Sequence, residues 1–137
     1  GNSDVEIGTA ENGILTVSFT KPMKANNITP GWTGTHEFTV KNNSNRTVVY
    51  NVNLINVANT FTSNNFVYSL VKDGQTLVSQ TPALKSDSTI ASNLVIAPGE
   101  TATFQINYEF VEIGAPQDYD QGQNYSGTVE IQIVSAR

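Results

Sequence analysis

The sequence predicts an all-β protein, an antiparallel β-sandwich of the jelly-roll or immunoglobulin-like type with about eight strands. Apolar and polar residues alternate along most of the chain, which is the pattern of strands that bury one face. Turn residues separate these segments at regular intervals. No long stretch shows the period of an amphipathic helix.

The composition and charge of the chain argue against several classes of function. The chain has 137 residues, which is enough for one domain with a real core. Only 14% of residues are charged, and the net charge is -5 with scattered Lys and Arg. Nucleic acid and anionic membrane surfaces are therefore poor partners. No apolar run approaches the roughly 20 residues that a membrane helix needs, so we expect no membrane insertion.

The chain contains no cysteine, which excludes disulfides, thiolate catalysis and Cys-ligated metals. An Asn/Thr-rich all-β chain without disulfides indicates an extracellular or cell-surface bacterial protein, or a virus particle. The first residue is Gly1. This glycine is either the remainder after removal of a signal peptide or the remnant of an expression tag.

Residues 1–13 are predicted as an N-terminal extension in which Val5 and Ile7 alternate with polar residues. This short segment has no obvious partner nearby in sequence. It is an edge strand of its own sheet, an arm that adds to a neighbouring subunit's sheet, or a disordered tail. Residues 14–137 are predicted to form the sandwich domain.

The first strand of that domain is predicted at Ile14–Thr20 and ends at Lys21-Pro22. Its apolar face carries Leu15, Val17 and Phe19.

A loop is predicted at Ala25–Gly34, closed by the turn dipeptide Pro30-Gly31. Trp32, the only tryptophan, follows this turn. It is interpreted as a lid over one end of the core, with a ligand-stacking platform as the alternative.

Thr35–Leu54 is predicted to be a β-hairpin linked by Asn42–Asn45. Asn suits such a link because it tolerates left-handed backbone angles and hydrogen-bonds its own main chain. The predicted inward residues are His36, Phe38, Val40, Val48, Tyr50, Val52 and Leu54.

The remaining strands follow the same alternation. Asp73-Gly74 predicts a tight hairpin turn, and Pro98-Gly99-Glu100 predicts another turn. Ile113–Gln123 is a predicted loop. The predicted strands are Asn65–Lys72, Gln75–Gln80, Ser88–Ile96, Thr101–Glu112 and Asn124–Ser135.

Catalytic motifs are absent from the sequence. His36 is the only histidine and lies on the predicted buried face, so we interpret it as a core residue rather than a zinc ligand or a general base. Asp118 and Asp120 alternate in a loop before Gly122, which indicates a solvated turn or, alternatively, a calcium site. We predict no enzyme activity, no cofactor and no metal.

Two segments carry a family resemblance. Phe38–Asn43 running into Val48–Val52 is similar to the "strand, Asn turn, strand" of bacterial extracellular immunoglobulin-like modules, and Ile96–Thr101 resembles their Pro-Gly-Glu turn. The order of elements resembles the TasA/camelysin group of secreted fibre proteins. Its further matches here are the strand Ile14–Phe19, the turn Pro30-Gly31, Phe38, and Gln123–Ile133 with Tyr125-Ser126-Gly127.

This resemblance implies a structural subunit of a bacterial fibre, pilus or biofilm matrix. In that group one subunit's N-terminal strand fills a neighbour's sheet, which assigns Val5 and Ile7 the role of donor-strand residues. Some members are described as proteases, but no motif residue for that activity can be matched here. The chain is also shorter than typical members.

A binding module is the alternative function. It would be a cell-surface adhesin or a phage-particle decoration domain that meets a glycan or protein ligand through loops at one end of the sandwich. Its candidate contacts are Trp32, Tyr119 and Tyr125.

Overall fold

The computed structural model describes residues 4–10, 13–18 and 22–137. Strands dominate this part of the chain. They are β1 (Asp4–Thr9), β2 (Leu15–Val17), β3 (Met23–Ile28), β4 (Thr33–Asn42), β5 (Val48–Asn59), β6 (Phe66–Lys72), β7 (Gln75–Pro82), β8 (Ser88–Ile96), β9 (Thr101–Phe110) and β10 (Gln123–Ala136). A 3₁₀ turn at Asp118–Asp120 precedes β10.

The strands form two sheets, which confirms the all-β class. The six-stranded sheet has the order β2-β1-β4-β9-β6-β7, and the four-stranded sheet has the order β3-β10-β5-β8. All pairs are antiparallel except β1 with β4, which run parallel. The described residues thus contain ten strands rather than about eight.

One added strand is β3, which replaces the first part of the loop predicted at Ala25–Gly34. Its apolar alternation is weak, because only Met23, Ala25 and Ile28 point inward among polar neighbours. Pairing with β10 makes it a strand, so tertiary context decides its conformation. The predicted strand at 14–20 is described only as Leu15–Val17, and Phe19, Thr20 and Lys21 lie outside the described residues.

The predicted hairpin at Thr35–Leu54 is wrong, because its two arms belong to different sheets. β4 pairs with β9 and β1, whereas β5 pairs with β10 and β8. The alternation of both arms is real, but a period of two does not say which strand is the partner. The Asn-rich link is therefore an arch between the sheets.

Asn42 explains why this arch forms. It is fully buried, and its amide group donates to the carbonyls of Arg46 and Ile96 at 2.7 and 3.1 Å. Its side-chain oxygen accepts from the Ser44 amide and hydroxyl. Its backbone bonds Gly99 and Glu100 in the Pro-Gly-Glu turn. One side chain thus ties together the two chain segments that cross between the sheets at this end.

The hairpin predicted at Asp73-Gly74 is confirmed. Both turn residues have positive φ, 49° and 82°, as a two-residue type I′ turn requires. The Asp73 carboxylate accepts a hydrogen bond from the Thr103 amide, which lowers its pKa, and it pairs with Lys72 at 3.3 Å. The turn is therefore fastened to β9 as well as to its own strands.

A single core lies between the sheets. Aromatic rings dominate it: Phe38 stacks on Phe104 at 4.9 Å between centroids, and Phe61 stacks on Phe66 at 4.4 Å. Four inward residues of β9 are buried, as its alternation predicts: Phe104, Ile106, Tyr108 and Phe110. Among the described residues no helix has the length and apolar character needed to cross a bilayer.

Candidate functional site

β1 is the element to which the sequence assigns the donor role, and the structure places it inside its own sheet. Val5 and Ile7 are 1% and 0% exposed and belong to the core. β1 lies between β2 and β4 and has ladders with both. The expectation that this segment lacks a partner nearby in sequence is therefore not met, because β2 follows it directly. It is also not an edge strand, because β2 occupies the edge.

Four hydrogen bonds fix β1 in this place. Ile7 accepts from the Asn43 amide at 2.7 Å, and the Asp4 carboxylate accepts from the Thr39 hydroxyl at 2.7 Å. On the other side Glu6 accepts from the Ser18 amide, and its own amide donates to the Ser18 hydroxyl. β1 and β2 thus form one hairpin whose strand pairing with the rest of the sheet, among the described strands, runs through β4.

The ladder between β1 and β4 covers only the second half of β4. Asp4 is level with Thr39, and Ile7 is level with Asn42. The first half, Thr33–Phe38, has a ladder with β9 on one side and no described strand on the other. Among residues 4–10, 13–18 and 22–137, the six-stranded sheet therefore has no strand beside Thr33–Phe38, and this open stretch directly ahead of β1 is called the gap.

A groove of about 360 Å³ lies beside this gap, between β3 and β4. β3 contributes Met23, Lys24 and Ala25 to its wall, next to Pro22. The opposite wall carries Trp32, Gly34, Thr35 and His36. The groove is thus bounded by the first half of β4 and by β3, the edge strand of the other sheet.

His36 lies on the same face as Phe38, and their ring centroids are 6.2 Å apart. Burial lowers the pKa of its imidazole. Its Nε2 atom is buried and has no hydrogen-bond partner. This position at the edge of the core is the one that the alternation of Thr35–Leu54 predicts for His36.

Trp32 packs against the aromatic core rather than standing free. Its ring lies 6.1 Å from Phe66 and directly over Gly34, where an added Cβ would overlap the indole. Only a glycine leaves room for this arrangement. Trp32 thus covers one end of the core and forms part of the groove wall.

Tyr125 and Tyr119 lie in different environments. Tyr125 is within β10 rather than in a loop, is 1% exposed, and contacts Phe66 and Tyr108 at 5.4 and 5.1 Å. A surface loop contact is therefore not available to Tyr125 in this fold. Tyr119 is 51% exposed in the 3₁₀ turn. The three aromatic residues do not form one surface patch.

The Asp118/Asp120 loop has a structural explanation. Asp120 is fully buried, and its two carboxylate oxygens accept from the amides and hydroxyls of Thr62 and Ser63 at 2.6–3.0 Å. Burial acts to raise its pKa, but these hydrogen bonds outweigh it and lower the pKa overall. The Asp120 oxygens are thus occupied by protein donors, whereas Asp118 is exposed. No group of three or more His, Asp or Glu residues within the described ranges could hold a metal ion.

Sequence reasoning missed the gap in the sheet and the groove beside it. Both depend on where β1 stops along β4 and on the existence of β3, and neither leaves a local pattern.

Comparison with known proteins gives little further information. No family model matches this chain, and no curated protein matches it. Among solved structures it is similar to the insecticidal delta-endotoxin Cry8Ea1 of Bacillus thuringiensis, with 13% sequence identity and a TM-score of 0.46. The match covers 85% of this chain and 20% of the toxin chain, so this chain spans about a fifth of the toxin's length.

Proposed function

We propose that this protein is a structural subunit of an extracellular bacterial fibre, pilus or biofilm matrix. Its sandwich would be of the jelly-roll or immunoglobulin-like type, as in the TasA/camelysin group. Subunits would polymerise when β1 of one copy occupies the β1 position of the next, so that Val5 and Ile7 enter a neighbour's core. The single observation that supports this is that β1 fills a core position but is attached through only one neighbouring strand outside its hairpin.

Such an exchange keeps the buried contacts of β1 and changes only which subunit supplies the strand. Burial of Val5 and Ile7 contributes roughly 3–6 kcal/mol as an upper bound. The same contacts re-form between subunits, so the exchanged and unexchanged states differ little in interaction energy. The barrier is the transient exposure of the β4 edge. Exchange is therefore slow and depends on concentration.

The pairing favours one moving unit. Among the described strands β2 has a ladder only with β1, so the two strands would leave together. Edge strands with free backbone groups are general sites of strand addition.

A cysteine-mixing experiment tests the exchange. Glu6 and Lys41 are opposite each other on β1 and β4, and both are exposed. The natural chain has no cysteine, so single variants Glu6→Cys and Lys41→Cys carry one thiol each. The two variants are mixed, assembled at high concentration and oxidised. Covalent heterodimers on a non-reducing gel are expected, since β1 of one chain then lies against β4 of another.

The matched control mixes Glu6→Cys with Ser92→Cys, an exposed position on β8 of the other sheet. This pair is expected to remain monomeric. If the first mixture also gives only monomers while electron microscopy shows filaments, the exchange mechanism is wrong. If no filaments form under any condition, the structural role itself is wrong.

A ligand-binding module is the second candidate, supported by the exposure of Tyr119. It has less support than the fibre subunit because Trp32 and Tyr125 pack on Phe66 in the core. A monomer that binds a glycan or a protein, and loses that binding on Tyr119→Ala, would favour this candidate.

A further inference from the structure

We propose that copies of this protein also join head to tail by edge pairing, with β7 of one copy filling the gap beside Thr33–Phe38 in the next. This contact does not require β1 to leave its own sheet, and it is independent of the proposed exchange. The occupant of the gap is a second copy of this chain.

The backbone groups of β4 that have no partner in the described strands point into the gap. The Asn42 amide donates to Glu100 ahead of β9, whereas the next amide, that of Asn43, donates to Ile7 of β1. Backbone groups alternate sides along a strand, so even-numbered residues of β4 bond β9. The amides and carbonyls of Thr33, Thr35 and Glu37 therefore face the side where no described strand pairs with them.

β7 lies at the opposite edge of the same sheet. Within the described part of the chain it has a ladder only with β6. Natural edge strands are blocked by charged residues, proline or bulges; Gln75–Pro82 carries no charge, its proline stands at the last position, and its bulges lie where it pairs with β6. Leu77 on this strand is 42% exposed. This uncharged edge has the chemistry of a strand that pairs with another chain.

The two edges match in length and level. Reading across the sheet, Phe38 is level with Phe104, Lys72 and then Gln75. At the other end Thr33 is level with Glu109, Val67 and then Pro82. β7 therefore occupies the same rows of the sheet that are open on β4, and its bulges absorb the difference in residue number.

Direction and side-chain placement also agree. Three antiparallel steps separate β4 from β7, so a copy displaced along the sheet presents β7 antiparallel to β4. The incoming Val78 would be level with His36, because both are level with Ile106 and Leu70. Val78 would thus enter the groove beside the buried His36 Nε2.

Each copy would use two different edges of its six-stranded sheet, the β7 edge toward one neighbour and the β4 edge toward the other. Such a heterologous contact repeats without closing and generates a filament rather than a dimer. Each step would extend the six-stranded sheet of one copy into that of the next.

Crosslinking tests this contact directly. Thr35 and Ser79 are at neighbouring rows, but β9 and β6 separate them within one chain, about 14 Å apart, which is too far for a disulfide. Thr35→Cys and Ser79→Cys chains are mixed at high concentration and oxidised. Covalent heterodimers are expected, and none are expected when Thr35→Cys is mixed with Ser92→Cys on β8.

Two edge variants complete the test. Thr35→Pro removes an amide that faces the gap and leaves pairing with β9 intact, since proline is tolerated where the amide is free. Ser79→Lys places a charge on the β7 edge. Thr35→Pro is expected to weaken self-association in sedimentation roughly tenfold, as loss of one interface hydrogen bond does. Ser79→Lys is expected to weaken it as well, because the charge would have to lie against the neighbouring edge. Circular dichroism checks that both variants fold.

Absence of the Thr35–Ser79 crosslink, or unchanged self-association of a folded Ser79→Lys variant, would overturn this contact. The Glu6–Lys41 crosslink is unaffected by either result, so this inference and the proposed exchange can fail separately. If Thr35→Cys links to a position near the N-terminus of another chain instead, the gap is filled by the segment ahead of β1, and β7 is not the occupant.

Discussion

At the scale of single residues, Asp120 shows how a motif that suggests a metal site has a structural role. Four donors from Thr62 and Ser63 surround its carboxylate, so the charge is compensated by hydrogen bonds rather than by a cation. This clamp fastens the β5–β6 connection to the turn before β10. The unfolded chain offers no such set of donors, so the carboxylate is more stable as an anion in the folded state.

Replacement of Asp120 by Asn should destabilise the fold by about 2–4 kcal/mol, because the new amide group points a donor at donors. Urea unfolding at neutral pH measures this. Asp118→Asn is the matched control, since Asp118 is exposed, and should change stability by less than about 0.5 kcal/mol. The lowered pKa of Asp120 also predicts a pH dependence. Its contribution to the free energy of unfolding is present above the unfolded pKa and is lost as pH falls through the folded pKa. Equal effects of the two substitutions would contradict this role.

His36 should make stability fall on mild acidification. Its folded pKa lies below its unfolded pKa of about 6.5, so the unfolded state binds the proton more strongly. Stability should therefore decline as pH falls from about 7.5 toward about 5.

The comparison is with His36→Phe, which keeps an aromatic ring beside Phe38 and removes the only histidine. Urea midpoints of the two proteins are measured across that pH range. The variant should lack the decline. An equal decline of stability in both proteins would mean that titratable groups other than His36 cause it.

At the scale of elements, the contact between Trp32 and β4 depends on one missing Cβ. Gly34→Ala should push the indole off the strand, because the added methyl group overlaps the ring. Since Trp32 is the only tryptophan, its fluorescence reports this directly. The emission maximum should shift to the red, and stability should fall by about 1–3 kcal/mol. Gly74→Ala is not a suitable control because of its positive φ. At Gly8 an added Cβ would lie 4.0 Å from the Thr16 hydroxyl, an ordinary contact, so Gly8→Ala should leave the emission unchanged.

The elements also show what a sequence can predict. β9 and the β6–β7 hairpin were predictable because their signals are local: alternation in Phe104–Phe110 and a turn at Asp73-Gly74. The strand that pairs with β4 could not be predicted in this way. Asn42 directs the chain into the other sheet through contacts with Ile96 and Glu100, which lie far along the sequence. β3 was missed for the same reason, since pairing with β10 rather than its own pattern makes it a strand.

In the candidate site, too, some features follow from local sequence and others depend on distant contacts. Burial of Val5 and Ile7 follows from their alternation. The gap ahead of β1 does not, because it depends on the level at which two distant segments meet. Tyr125 was named as a loop contact although the predicted strand Asn124–Ser135 contains it, and its inward position follows from the same alternation that buries Val129 and Ile131. The burial of single residues was therefore predictable, whereas the level at which distant strands meet was not.

At the scale of the whole molecule, strand exchange requires that the β1–β2 hairpin opens more easily than the rest of the fold. Two adjacent amides report on this. The Asn42 amide donates to Glu100, at the turn before β9, and the Asn43 amide donates to Ile7 of β1. Sub-global opening of the hairpin exposes the second amide but not the first.

Hydrogen exchange followed by NMR should therefore show at least about tenfold weaker protection at Asn43 than at Asn42, a difference of about 1.4 kcal/mol or more in opening free energy. The result is informative because the bond at Asn43 is the shorter, 2.7 against 3.0 Å, so bond length alone would give the opposite order. The Ser18 amide donates to Glu6 and should show the same protection as the Asn43 amide. The Phe110 amide donates to Trp32 and should show the same protection as the Asn42 amide. Equal protection at all four amides would mean that the hairpin is released only by global unfolding, and exchange between folded subunits would then be too slow to build a fibre.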